Sequence, residues 1–96
     1  MPYMPASSRE PLYVPFSEDL SSAGVQLAVV LASEGEPDDA QYHNADWDSG
    51  SSEAVLPVGR DSEVPLAPGE YVVWARWTVG DFQPVRRSGT LTVGAP

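Results

Sequence analysis

An all-β domain of packed sheets is the fold class this sequence predicts, and three observations carry that expectation. Ten prolines and eight glycines are spread over the whole 96-residue chain, so no stretch escapes helix breakers long enough to build a sizeable helix. The apolar runs are short and separated by turn chemistry, which is the pattern of strands rather than of amphipathic helices. The most strongly patterned segment, residues 69–80 (GEYVVWARWTVG), sets Tyr71, Val72, Val73, Trp74, Trp77 and Val79 between two glycines. β-Branched and aromatic residues fit the pleated, half-buried surface of a sheet.

Taken in order, residues 1–10 contain Pro2 and Pro5 and little core material. They read as an extended N-terminal arm in front of a domain spanning residues 11–96. PLYVPF (11–16) is apolar, but Pro11 and Pro15 remove ladder donors, which suits an edge strand. Residues 18–24 are a loop or at most one helical turn. VQLAVVLA (25–32) is a strand with Val25, Leu27, Val29 and Leu31 on one face and Gln26, Ala28, Val30 and Ala32 on the other. Residues 33–52 are polar and acidic, too long for a plain connection, so a short strand anchored by Trp47 is expected over 45–48. EAVLPV (53–58) is the next strand, ended by a turn holding Gly59 and Asp61. EVPL (63–66) reads as a short strand leading into the Pro68–Gly69 turn signal. Residues 69–80 form the longest strand, GDFQP turns the chain, and SGTLTV (88–93) closes the domain. Six to seven short antiparallel strands in this length fit an immunoglobulin-like β-sandwich. The chain has no cysteine, so the disulfide that marks antibody domains is missing and the likeness is one of architecture.

Strand parity divides the aromatic segment. Tyr71, Val73, Ala75, Trp77 and Val79 share one continuous apolar face, which should point into the core. Val72, Trp74, Arg76 and Thr78 share the other, which should point to solvent or a partner. Tryptophan beside arginine is a pairing enriched in protein interfaces. The competing expectation is that the N-terminal arm or the acidic loop of the same chain covers Trp74.

Fourteen acidic residues stand against five arginines and no lysine, for a net charge of −9. That balance opposes binding to a nucleic-acid backbone, which needs basic contacts, and to anionic membranes. No apolar run is long enough to form a membrane-spanning helix. Residues 1–9 have neither a basic start nor an apolar core, so no signal peptide is read there. The expectation is a soluble protein made in the cytoplasm.

Candidate chemistry is sparse. His43, the single histidine, lies among Asp38, Asp39, Asp46 and Asp48, but the spacing supplies no nucleophile or orienting partner and it reads as a solvated loop residue. DWDSGSSE (46–53) has carboxylates at alternate positions, yet Ser49 and Gly50 stand where a calcium loop needs its third ligand. No G-x-S-x-G elbow and no phosphate-cradling glycine loop is present. The reading is therefore a non-enzyme with no cofactor and no bound metal. An exposed aromatic platform of Tyr42, Trp47 and Trp74, flanked by Asp46 and Asp48, would instead suit a carbohydrate- or host-surface-binding module.

The order of features, EPLYVPF, then a V-x-L-x-V strand, then DWD, then PGEYVVWARWTVGDFQPVRRSGTLTV, resembles small proteins encoded among the virion structural genes of tailed phages of actinobacteria. The C-terminal part of that pattern falls on Gly69, Tyr71, Val73, Trp74, Arg76, Thr78, Pro84, Val85, Gly89, Leu91 and Val93. The chain departs from it at DFQPV and in the acid content of the central loop. The resemblance implies a structural role in the virion, as a capsid decoration, a head–tail connector component or a tail accessory subunit, arrayed in many copies. Its partners would be major capsid, portal or connector subunits. The binding surface expected on this basis is the arm, through Pro2, Tyr3, Met4 and Pro5, together with the face around Trp74 and Arg76.

Overall fold

A computed structural model describes residues 3–94. Its strands are β1 (Tyr3–Pro5), β2 (Arg9–Pro15), β3 (Gln26–Leu31), β4 (His43–Asn44), β5 (Asp46–Asp48), β6 (Glu53–Gly59), β7 (Gly69–Arg76) and β8 (Val85–Gly94), with one 3-10 turn at Asp39–Gln41. They form two sheets. The larger has the order β1-β8-β7-β3-β4, the smaller β2-β6-β5. β1 runs parallel to β8, and every other pairing is antiparallel. The domain is thus all-β with two sheets, as its punctuation by proline and glycine predicts.

The core lies between the sheets and follows the period-two alternation. β7 contributes Tyr71, Val73 and Ala75, β3 Leu27, β8 Leu91 and Val93, β6 Ala54, Leu56 and Val58, and β2 Val14. Trp77, just past the end of β7, joins them. Each large side chain buried there stabilises the fold by about 1.5–3 kcal/mol. Val79, expected on the same face, instead lies 51 % exposed, because β7 stops at Arg76.

The segment expected as an extended arm in front of the domain is built into the larger sheet. Tyr3–Pro5 pairs with Thr92–Gly94, the Ala6 N–H donates to the Gly94 carbonyl at 2.8 Å, and Met4 is a core residue, 2 % exposed. Met4 is the physical reason: one apolar side chain pointing inward is enough to dock a three-residue strand. Pro2 lies outside the described residues.

β2 is an edge strand whose prolines sit where they cost nothing. The Phe16 N–H donates to the Ser52 carbonyl at 3.0 Å. Alternation along the antiparallel pair then turns the backbone N positions of Pro11, Tyr13 and Pro15 away from β6. Proline at two of those three positions loses no ladder bond and blunts the edge against pairing with another chain.

EVPL (63–66) is not a strand. The Gly59 N–H donates to the Val64 carbonyl at 2.8 Å and the Ser62 hydroxyl to the Gly59 carbonyl at 2.7 Å. This closed turn leaves Val64 and Leu66 buried without any ladder. Pro65, which has no N–H, interrupts any strand between them. Farther along, the Tyr71 hydroxyl donates to the Ala67 carbonyl at 2.7 Å and ties the entry of β7 to the preceding turn.

Candidate functional site

On the outer face of the larger sheet, Gln26, Ala28 and Val30 of β3 stand opposite Arg76, Trp74 and Val72 of β7. Ala28, Val30 and Val72 are buried yet lie outside the inter-sheet core, so this face is covered too. The covering comes from the acidic segment of the same chain, where Pro37 and Tyr42 are buried. The 3-10 turn packs against β3. That turn is closed by the Asp38 N–H donating to Gln41 Oε1 at 2.8 Å and the Gln41 N–H donating to the Asp38 carbonyl at 3.0 Å.

Arg76 is the hub of this cover. Its Nε donates to Gln26 Oε1 at 2.7 Å and its Nη1 to Asp39 Oδ1 at 2.6 Å, while the guanidinium lies 4.1 Å from the centre of the Tyr42 ring. The Gln26 amide donates onward to Asn44 Oδ1 at 3.0 Å. Arg76, expected on a face open to a partner, therefore has its charge engaged within the chain. Trp74 is half-buried and its indole Nε1 is enclosed without a hydrogen-bond partner, as is the Tyr42 hydroxyl. Burial pushes the Tyr42 phenol above its ordinary value; the Arg76 charge opposes the shift, and Glu36 and Asp39 add to it. Removal of the two partners of the ion pair should have unequal effects. The Arg76 side chain is 13 % exposed and the Asp39 side chain 95 %. Arg76→Ala is expected to cost about 1–3 kcal/mol through lost charged hydrogen bonds, ring contact and stem packing. Asp39→Ala should stay below about 1 kcal/mol. Urea unfolding of both variants measures this, and equal losses would contradict an Arg76-centred cover.

The aromatic platform does not form. Trp47 sits in β5 of the smaller sheet, partly buried against the core, with its ring centre 5.8 Å from that of Phe16. Trp74 and Tyr42 belong to the other sheet's outer face, and Tyr42 is buried. His43 is a strand residue opposite Leu27 rather than a loop residue. Its Nδ1 lies 3.7 Å from Glu63 Oε2, and it borders an open cleft of about 350 Å³ with Glu34, Gln41 and Leu66. Asp48 is engaged in a local turn, accepting the Gly50 N–H at 3.0 Å. Among the described residues, no group of three or more histidine, cysteine or carboxylate side chains is placed to hold a metal ion.

Two open features remain. One is the edge of β8. Among the described residues, β1 pairs only with Thr92–Gly94 and no other strand pairs with the preceding part of β8 on that side, along which Arg86 and Arg87 lie exposed. The other is the tip that joins β7 to β8. Val79 and Phe82 exchange backbone hydrogen bonds of 2.8 and 2.9 Å across a two-residue turn in which Gly80 takes φ +59°. Glycine first in such a turn is the signature of a tight hairpin whose twist suits the strands. The Thr78 N–H donates to the Ala23 carbonyl at 2.8 Å and fastens the tip to the loop before β3. Phe82 is 75 % exposed there. Comparison of the chain with protein-family models, with curated proteins and with solved structures finds no match.

The sequence pattern passed over this tip because GDFQP reads as turn chemistry. The available signal was a phenylalanine placed beside the turn, with no apolar partner in its alternation.

Proposed function

We propose that this chain is a non-enzymatic binding domain of immunoglobulin-like architecture and that it serves as a multi-copy structural component of a tailed-phage virion, seated on the capsid or the head–tail connector. Its connectivity supports the architectural part. The run β8-β7-β3-β4 corresponds to strands G-F-C-C′ of an immunoglobulin sandwich and β2-β6-β5 to B-E-D, with β1 beside the last strand. The Tyr71 hydroxyl reaching back to Ala67 matches the tyrosine corner at the start of strand F.

The observation that carries a binding role is the fixed hairpin presenting Val79 and Phe82 to solvent, where Phe82 is the most exposed large apolar side chain among the described residues. Placement in the virion rests on the sequence pattern that runs from EPLYVPF to SGTLTV. The arm contributes less than its sequence implies, since Met4 belongs to the core; Tyr3, 61 % exposed, remains accessible. The glycan-binding alternative loses its geometric basis with the platform. The test is quantitative mass spectrometry of particles purified from cells carrying a phage genome that encodes this chain. Many copies per particle are expected, and absence of the chain from washed particles would overturn the proposal.

A further inference from the structure

The hairpin at 79–82 specifies more than a general tendency to bind. Its two exposed side chains flank a turn that is held at both ends. Val79 and Phe82 bond to each other through the backbone, and Thr78 is tied to Ala23. Residues opposite each other in such a pair project to the same side, so Val79 and Phe82 make one apolar knob rather than two isolated exposures. A held knob loses little conformational freedom on docking, which favours affinity.

The chemistry around the knob is one-signed. Asp81 is in the turn itself and exposed. Across an adjoining cavity of about 430 Å³, lined in part by Leu20 and Val79, stand Glu18 and Asp19. The Asp19 carboxyl is held below its ordinary value chiefly by the hydrogen bond from the Ser21 backbone N–H at 2.9 Å, so it is ionised at neutral pH. Of the two arginines that flank the hairpin, Arg76 is paired with Asp39 and Arg86 is turned to the Trp77 ring, with its guanidinium 6.0 Å from the ring centre. Three carboxylates around an apolar pair disfavour a second copy of the same tip, whose carboxylates would meet like charge. They equally disfavour an anionic lipid surface.

We infer that the Val79–Phe82 hairpin is the docking element of this protein and that it inserts into an apolar socket rimmed by lysine or arginine on a partner protein. Under the reading proposed above, on which this inference rests, that partner is another subunit of the particle. Phe82 supplies the anchor, in keeping with the small number of buried aromatic residues that dominate most interfaces. Glu18, Asp19 and Asp81 supply the charge that steers and orients the approach.

The test uses particles assembled in cells with the wild-type chain, Phe82→Ser, Asp81→Lys or Tyr13→Ser. Tyr13 is a control, an exposed aromatic on β2 away from the tip. Circular dichroism melts of each purified chain establish that all four fold alike. Phe82→Ser is expected to reduce copies per particle about tenfold or more, the loss typical of a hot-spot anchor. Asp81→Lys should lower occupancy and weaken its dependence on salt, whereas Tyr13→Ser should match the wild type. Wild-type occupancy by Phe82→Ser, or an equal loss by Tyr13→Ser, would overturn the inference while leaving the virion reading standing. Absence of the wild-type chain from particles would overturn both. Self-association of the purified chain that Phe82→Ser abolishes would assign the knob to a second copy and refute the basic-rimmed partner.

Discussion

Replacing Gly59 by alanine is expected to lower the stability of the domain by about 2–4 kcal/mol, a large share of the 5–15 kcal/mol usual for a folded domain. Gly59 ends β6 with φ +98°, a conformation that costs a non-glycine residue about 1–3 kcal/mol. A methyl group there would also overlap the Ser8 carbonyl oxygen and press on the Met4 side chain. The Ser8 carbonyl accepts the Arg60 N–H at 3.0 Å, so moving it away forfeits that bond, worth about 1 kcal/mol. Gly35 supplies the control. It has φ +75° but open space where a Cβ would lie, so Gly35→Ala reports backbone strain without overlap. Denaturant midpoints at unchanged slope measure both. Equal losses in the two variants would mean that the crossing from β1 to β2 does not press against Gly59, and would contradict the docking of the N-terminal segment described above.

That crossing marks where the sequence stops being informative. Strand composition and alternation locate β3, β6, β7 and β8 within a residue or two at most ends, because each carries enough β-branched and aromatic residues for period two to dominate. β8 begins three residues earlier than its pattern, since Val85, Arg86 and Arg87 pair with β7 through backbone bonds that any side chain permits. The N-terminal strand is hidden for a related reason. Its pairing with β8 is main-chain chemistry, and its only inward side chain is Met4. The acidic segment is a third case. Its polarity signals a loop, and it is largely one, but Tyr42, buried under the Arg76 guanidinium, turns it into the lid of the outer face. Nothing in the spacing of Asp39 and Tyr42 names Arg76, thirty-seven residues from Asp39, as the group they enclose. Long-range partners of loop residues depend on where the sheets place them, and only the fold supplies that. The exposed tip is the converse: its turn is legible, while the exposure of Phe82 depends on β7 ending at Arg76.

The two tryptophans of the aromatic segment should separate cleanly on mutation, and their contrast tests the covering of both sheet faces. Trp77 is 9 % exposed in the inter-sheet core, with the Phe16 ring edge-on at 5.4 Å. Trp77→Ala leaves a large cavity between the sheets and is expected to cost about 3–5 kcal/mol. If that variant is too unstable to purify, Trp77→Leu fills part of the space and should lose about 1–3 kcal/mol on the same grounds. Trp74 is only half-buried, and its enclosed indole N–H has no partner, which costs the fold part of what its ring contributes. Trp74→Phe keeps most of the ring and deletes that donor, so it should be neutral within about 0.5 kcal/mol or slightly stabilising. A Trp74→Phe loss as large as that of Trp77→Leu would mean that the indole N–H is engaged after all, by water. A Trp77→Leu change without effect would mean that Trp77 does not pack between the sheets, and the parity of the whole strand would have to be reversed.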